Sequence, residues 1–230
     1  MKLDELEKVT GKANQDEINK PGQNVLRFYR WHAHIYDLTR WTFLFGRSAL
    51  LNMLPIMPGQ KTVLVEVGCG TGRNLRRLAK KHPMLYLHGV DMSRDMLDKA
   101  HRAISRYTRR AFLHGMAYGS AATPPYEAPD IVLFSYSLTM FNPGWEAAIE
   151  QAYQELKPGG WIAVVDFHDT PFTVFRRWMG FNHVRMDGHL APYLKNRFEP
   201  AICEVRTAWF GLWRYVKFIG RKKSADFQTD

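Results

Sequence analysis

A short glycine-rich run that follows an apolar segment places the tightest limit on how this chain can fold. The run is VLVEVGCGTGRNL, residues 63–75, and its β-branched start is typical of a buried parallel strand. Gly68, Gly70 and Gly72 allow the backbone to approach a ligand closely. A second apolar run, LYLHGVD, ends on Asp91. This order predicts two parallel strands with a helix between them and a carboxylate where a ribose would bind.

The spacing of the glycines distinguishes between two nucleoside cofactors. The pattern is Gly-x-Gly-x-Gly, whereas the dinucleotide fingerprint has its third glycine at the position of Arg73. Glu66, two residues before the first glycine, would repel a pyrophosphate but could lie near the ammonium and sulfonium groups of S-adenosylmethionine. Both residues disfavour NAD. A glycine-rich turn without a ligand is the alternative.

These residues resemble the first motif of the class I S-adenosylmethionine-dependent methyltransferases, which reads EVGCGTG over residues 66–72. A helix, then LKPGG over residues 156–160, then a strand is a second match to that family. The resemblance implies that the loop wraps the methionine part of the cofactor, that Asp91 binds the ribose and that Met92 lies along the adenine. Core packing is the alternative for Met92 and Met116. The implied cofactor-binding residues are Tyr36, Arg40, Glu66, Gly68, Cys69, Gly70, Gly72, Asp91, Met92, Met116, Ala117 and Ser135.

The alternation of apolar runs and helical patterns after residue 61 predicts a parallel sheet wound by right-handed crossovers. Two aromatic-rich runs, 202–210 and 212–219, flank Gly211 and predict a terminal antiparallel hairpin. The fold class is therefore α/β, and the resemblance makes it the Rossmann-like seven-stranded sheet of class I methyltransferases. Predicted helices cover 74–81, 93–107 and 145–156, and predicted strands cover 63–67, 85–91, 111–115, 131–135 and 161–167.

The remaining segments complete the predicted organisation. Residues 172–199 are expected to be irregular, and an aromatic stretch over 25–53 is compatible with a helix. The predicted units are a charged, flexible leader (1–24) and one methyltransferase domain (25–230), which comprises an amino-terminal cap (25–60) and a core (61–230).

Methyl transfer to nitrogen needs an unprotonated amine held in line with the methyl group, and it needs no metal. Cys69 and Cys203 form neither a disulfide framework nor a metal-ligand pattern, so no metal is expected. A base is needed because a primary amine is mostly protonated at neutral pH. His168 is the candidate, with Asp166 and Asp169 beside it, because histidine titrates in the useful range. The predicted catalytic residues are Tyr136, His168 and Tyr36, the tyrosine rings being suited to hold a methylated cation.

The formal net charge of +10 predicts an anionic partner, either a membrane surface or a nucleic acid. The fourth strand carries FSYS, residues 134–137, in place of the proline-proline-tyrosine motif that holds a nucleobase, so nucleic acid is disfavoured. The first residues are too polar for a secretory signal. We therefore expect a cytoplasmic protein, peripheral at the inner face of the membrane.

The segments YDLTR (36–40) and FLFGR (43–47) resemble those preceding the fold in methyltransferases that make betaine lipids. This resemblance implies successive N-methylation of diacylglyceryl-homoserine at an anionic membrane surface, with a partner enzyme possible as the supplier of the lipid. Arg40, Arg47 and Arg177 are candidates to bind the homoserine carboxylate. The alternatives are a phosphatidylethanolamine or small-amine methyltransferase and, more distantly, an RNA-binding protein with the methyltransferase fold.

Overall fold

The computed structural model describes residues 44–119, 125–181 and 183–223 of the protein. The predictions for Tyr36 and Arg40 lie outside these ranges. The division of the chain into leader, cap and core also stays a prediction.

A single seven-stranded sheet organises the described chain. Its strand order is β3-β2-β1-β4-β5-β7-β6, and all neighbours are parallel except β7, which runs antiparallel to both β5 and β6. This confirms the predicted fold class, including the carboxyl-terminal hairpin. The strands are β1 (Thr62–Val67), β2 (Leu85–Asp91), β3 (Ala111–Gly115), β4 (Ile131–Ser135), β5 (Trp161–Asp169), β6 (Phe198–Ala208) and β7 (Trp213–Lys222).

Helices connect these strands and cover the sheet. They are α1 (Arg47–Met53), α2 (Arg73–Lys81), α3 (Arg94–Ile104), α4 (Trp145–Glu155), α5 (Thr173–Phe181) and α6 (Leu190–Arg197), with short 3-10 turns at Ser105–Tyr107 and Leu138–Met140. Helix α3 begins one residue after the predicted start, because Ser93 is its N-cap: the Ser93 hydroxyl accepts a hydrogen bond from the Met96 amide at 3.4 Å.

One sequence prediction about helices is wrong. The segment 172–199 is not irregular, because it contains α5 and α6. Pro192 falls in the first turn of α6, where a proline is tolerated. In the described part of the aromatic stretch, α1 covers Arg47–Met53 and follows Gly46, which has a left-handed φ of 74°.

The two central strands, β1 and β4, are buried along their whole length. Their side chains pack with those of α4 and α6 in a hydrophobic core that includes Val65, Phe134, Ile149 and Leu194. Burial on both faces explains why these strands read as continuous apolar runs rather than alternating ones.

The strand order reverses between β1 and β4, because the chain first builds outward through β2 and β3 and then returns. In open α/β sheets a ligand binds outside the carboxyl ends of the strands at such a reversal. We call this side of the sheet the carboxyl edge. In the part of the chain that is described, no helix is both long and apolar enough to cross a membrane.

Candidate cofactor and acceptor site

The loop between β1 and α2 has three left-handed glycines, Gly68, Gly70 and Gly72, with φ of 70°, 52° and 70°. Two of them are also confined by neighbours. A Cβ atom on Gly68 would lie 2.6 Å from the Ser137 Cβ, and one on Gly72 would lie 2.9 Å from the Ala100 Cβ. Glycine is therefore required at these two positions by packing as well as by backbone conformation.

The Asp91 carboxylate ties this loop to the end of β2. The Gly70 amide donates a hydrogen bond to its Oδ2 at 2.8 Å, and the Ser93 amide donates one to its Oδ1 at 2.9 Å. A carboxylate offers about four lone-pair sites, so acceptor capacity is left for a ligand diol. This geometry fits the predicted ribose role of Asp91.

Glu66 and Cys69 lie under the loop. The Glu66 side chain is buried, and its Oε1 accepts a hydrogen bond from the Asn74 amide nitrogen, Nδ2, at 2.7 Å. This bond joins β1 to the first turn of α2. Burial, together with the charges of Glu66 and Asp91, raises the pKa of the Cys69 thiol well above its ordinary value. The thiol is therefore protonated at neutral pH.

The two methionines predicted along the adenine differ in their surroundings. Met116 packs against the hydrophobic core, so core packing accounts for it. Met92 follows Asp91 and keeps 80% of its surface exposed. A large apolar side chain left open beside the end of a buried strand fits a flat ring that would cover it. Ala117 is exposed after β3.

Ser135 and Tyr136 end β4 at the carboxyl edge. The Ser135 Oγ is buried and has no hydrogen-bond partner among the described residues. The Tyr136 hydroxyl donates a hydrogen bond to the Phe45 carbonyl oxygen at 2.7 Å, and its ring meets the Phe167 ring edge-on at 4.8 Å. Burial raises the pKa of the Tyr136 hydroxyl well above its ordinary value. A structural role therefore accounts for these contacts, and the catalytic role of Tyr136 stays a prediction.

His168 lies near the end of β5 with part of its imidazole exposed. Its Nδ1 is buried and makes no hydrogen bond within the described part of the chain, and its Nε2 lies 3.9 Å from the Asp169 Oδ2. Burial lowers the pKa of His168 below its ordinary value of 6.5. The imidazole is therefore neutral at pH 7, as a proton acceptor must be.

The two aspartates predicted beside His168 are engaged elsewhere. Asp166 is fully buried and accepts hydrogen bonds from the Leu138 amide at 2.8 Å and the Thr139 hydroxyl at 2.5 Å. Burial raises the pKa of Asp166 to about 6. Asp169 pairs with Arg214, whose Nε donates to Oδ1 at 2.6 Å and holds the pKa of that carboxyl below its usual range. Protein groups therefore already engage both carboxylates, which favours His168 over them, and the identity of the base stays a prediction.

The ends of β1 to β5 thus bring most predicted site residues to one edge. Three supporting residues escaped the sequence interpretation. Asn74 bonds to Glu66, Ser93 donates its amide to Asp91, and the Ser137 hydroxyl donates to the Val67 carbonyl oxygen at 2.9 Å. Only Ser93 had a sequence signal, as a helix cap. Among the described residues, no group of His, Cys, Asp and Glu is arranged to hold a metal ion.

A Rossmann-like sheet with a glycine loop and a carboxylate at the strand-order reversal defines a nucleoside-cofactor protein. Comparison with known proteins identifies the class. The methyltransferase domain family matches residues 64–160. The uncharacterized methyltransferase YdaC of Bacillus subtilis is 32% identical over 138 residues, which cover 59% of this chain and 67% of that protein. The chain belongs to the class I S-adenosylmethionine-dependent methyltransferases, and the prediction of that cofactor is confirmed.

More distant matches vary in the atom that receives the methyl group. The malonyl-[acyl-carrier protein] O-methyltransferase of Priestia megaterium is 26% identical over 156 residues, or 67% of this chain and 54% of that protein. The chain thus spans about half the length of that relative. The solved N-methyltransferase NodS of Bradyrhizobium japonicum superposes with a TM-score of 0.64 at 18% identity, covering 78% of this chain and 87% of that one. The family therefore leaves the acceptor open.

Proposed function

We propose that this protein is an N-methyltransferase that successively methylates the amino group of diacylglyceryl-homoserine to give the betaine lipid diacylglyceryl-trimethylhomoserine. The observation that carries the proposal is His168, a neutral and partly exposed imidazole at the carboxyl edge, where the family binds its methyl donor. The choice of lipid rests on the sequence resemblance over residues 36–40 and 43–47.

The residues at the carboxyl edge fit S-adenosylmethionine, which supplies an electrophilic methyl group when bound. Asp91 has acceptor capacity left beyond its two backbone bonds, and Met92 presents an open apolar surface. The buried Ser135 hydroxyl has no partner in the described chain. In this proposal Asp91 holds the ribose, Met92 covers the adenine, and the glycine loop holds the methionine part.

In the proposed reaction, His168 takes up the proton that the acceptor nitrogen must lose before each methyl transfer. Only the neutral amine has the lone pair that forms the new N–C bond, while the S–C bond of the donor breaks. Nε2 is the nitrogen suited to this work, because Nδ1 is buried. The Asp169 carboxylate, 3.9 Å from Nε2, would stabilise the imidazolium after proton transfer.

The proposed substrate also implies a location and partners. A diacyl lipid resides in a bilayer, so the enzyme would work as a peripheral protein at the inner face of the cytoplasmic membrane. The net charge of +10 favours an anionic lipid surface there. Another enzyme would form the homoserine lipid that this one consumes.

Replacing His168 with Gln should lower kcat about 100-fold, because general-base catalysis contributes at least about that factor. In the wild type, kcat should rise with pH through the pKa of His168, below 6.5, and then level off. The variant should lose this acidic limb. His101→Gln, on the exposed surface of α3, is the matched control and should leave the profile unchanged. A wild-type pH profile in H168Q would contradict the role of His168.

The acceptor can be identified by incubating the purified protein with methyl-labelled S-adenosylmethionine and either purified diacylglyceryl-homoserine or a lipid extract that contains it. Label is expected in mono-, di- and trimethylated homoserine lipid, resolved by chromatography. Phosphatidylethanolamine, RNA and soluble amines are tested in parallel. Label in one of these and none in the homoserine lipid would refute the proposal.

A further inference from the structure

Helix α5 presents apolar side chains to solvent along one face. Val174, Trp178 and Phe181 follow the i, i+4, i+7 spacing of a single helix face, with exposures of 81%, 52% and 78%. Phe175 is half-buried and Met179 is buried on the inner side. A surface helix normally buries its apolar stripe, whereas the stripe of α5 is wide enough that part of it faces solvent.

The turn between β6 and β7 adds two exposed aromatic residues. Trp209 and Phe210 both have left-handed backbones, with φ of 46° and 54°, and the Phe210 side chain is fully exposed. Bulky residues rarely adopt this conformation, because it costs free energy. The turn therefore exposes these two aromatic side chains on an unfavourable backbone.

Ring contacts join this turn to α5. The Trp213 ring lies 5.9 Å from the Phe175 ring of α5 and 6.5 Å from the Trp209 ring of the turn, measured between centroids. Trp213 thus places the turn beside α5, and we treat the exposed apolar residues of both elements, together with Phe172 just before α5, as one surface. We call it the apolar face and define it as Phe172, Val174, Trp178, Phe181, Trp209 and Phe210.

The apolar face lies at the same edge of the sheet as the candidate site. Helix α5 begins at Thr173, shortly after β5 ends at Asp169. Asp169 is paired in register with Arg214 at the start of β7, so the β6–β7 turn projects past the carboxyl end of β5. His168 is the neighbour of Asp169 on that strand. A surface that rests on the apolar face would therefore lie near the acceptor side of the site.

The charges around the apolar face are basic. Helix α5 carries Arg176 and Arg177 and no acidic residue. Arg176 and Arg177 are exposed on α5 itself. Arg185, Arg206 and Arg214 are paired with Asp187, Glu204 and Asp169, so the two arginines of α5 carry the positive charge of this surface. Aromatic residues surrounded by arginines complement an anionic lipid headgroup layer above hydrocarbon.

We propose that the apolar face docks the enzyme onto the surface of an anionic lipid bilayer. The proposal rests on the proposed function, since it gives a bilayer lipid a route to the site. Trp178, Phe181 and Phe210 enter the boundary between headgroups and acyl chains, while the arginines contact anionic headgroups. The acceptor nitrogen can then reach the carboxyl edge while the acyl chains stay in the bilayer.

The test is sedimentation of the full chain with vesicles of phosphatidylcholine and phosphatidylglycerol that contain no acceptor lipid. The triple variant Trp178→Ser, Phe181→Ser, Phe210→Ser should bind at least about tenfold more weakly than the wild type. The matched control is Met57→Ser, Met84→Ser, whose methionines are 64% and 47% exposed near the amino ends of β1 and β2. It should bind like the wild type. Arg176→Gln, Arg177→Gln should weaken binding to these vesicles and leave binding to pure phosphatidylcholine unchanged.

Vesicle binding by the triple variant as strong as that of the wild type would overturn the proposal. A difference in molar mass between the variant and the wild type, measured by light scattering, would also overturn it, because a second copy of the chain would then cover the apolar face. If the triple variant fails to fold, quenching of wild-type tryptophan fluorescence by brominated lipid decides instead, and no quenching refutes docking. Because these vesicles contain no acceptor lipid, they test docking alone. Docking can therefore be observed even if the methylation assay refutes the proposed substrate. Conversely, a folded triple variant should still methylate acceptor dispersed in detergent.

Discussion

Replacement of Asp91 by Ala should weaken the binding of S-adenosylmethionine roughly 1000-fold. The carboxylate accepts hydrogen bonds from the Gly70 and Ser93 amides, and in our proposal it also accepts those of the ribose. Hydrogen bonds to a charged group contribute about 1.5–3 kcal/mol each, so losing two or more costs on the order of 4 kcal/mol. Each 1.4 kcal/mol is about tenfold in affinity.

Isothermal titration calorimetry measures this loss directly. Asp95→Ala is the matched control, because it removes the same charge from an exposed position in the first turn of α3. Its affinity should remain within about twofold of the wild type. Affinity retained in D91A would refute the ribose role, and equal losses in both variants would point to net charge rather than to contacts.

The elements predicted best from sequence are those set by short-range patterns. The glycine loop, the β2 carboxylate and the hairpin around Gly211 all follow from residues close together in the chain. The helices of segment 172–199 differ from the sequence expectation for a physical reason. Helix α5 is short and turns part of its apolar stripe to solvent, and Pro192 resembles a break although it lies in the first turn of α6.

The hydrogen-bond partners of individual site residues could not be predicted, because they are remote in sequence. The Tyr136 hydroxyl bonds to a carbonyl 91 residues away, and the Thr139 hydroxyl reaches Asp166 across 27 residues. Tertiary packing brings these groups together, and no local spacing encodes it. Sequence could therefore nominate Tyr136 and Asp166 by their place at strand ends, but it could not show that protein groups already occupy their polar atoms.

Gly72→Ala is the second substitution for which we expect a large effect, and Gly59→Ala is its matched control. Both Gly72 and Gly59 have left-handed backbones, with φ of 70° and 76°. A Cβ on Gly72 would lie 2.9 Å from the Ala100 Cβ and 3.0 Å from its Cα, whereas one on Gly59 would meet nothing within 4 Å. A side chain at either position would have to adopt a left-handed backbone. Only a side chain at position 72 would also clash with neighbouring atoms.

Gly59→Ala should therefore lower the free energy of unfolding by about 1 kcal/mol, the cost of a left-handed L-residue. Gly72→Ala should lower it by about 2–4 kcal/mol, because overpacking against α3 adds roughly 1–3 kcal/mol. Thermal unfolding measures both, at roughly 2–4 °C of Tm per kcal/mol for a chain of this size. The Gly72 variant should also lose affinity for S-adenosylmethionine, since relief of the clash moves the loop that carries the Gly70 amide. Equal stability losses in the two variants would mean that conformation alone, and not the contact between the loop and α3, requires glycine at position 72.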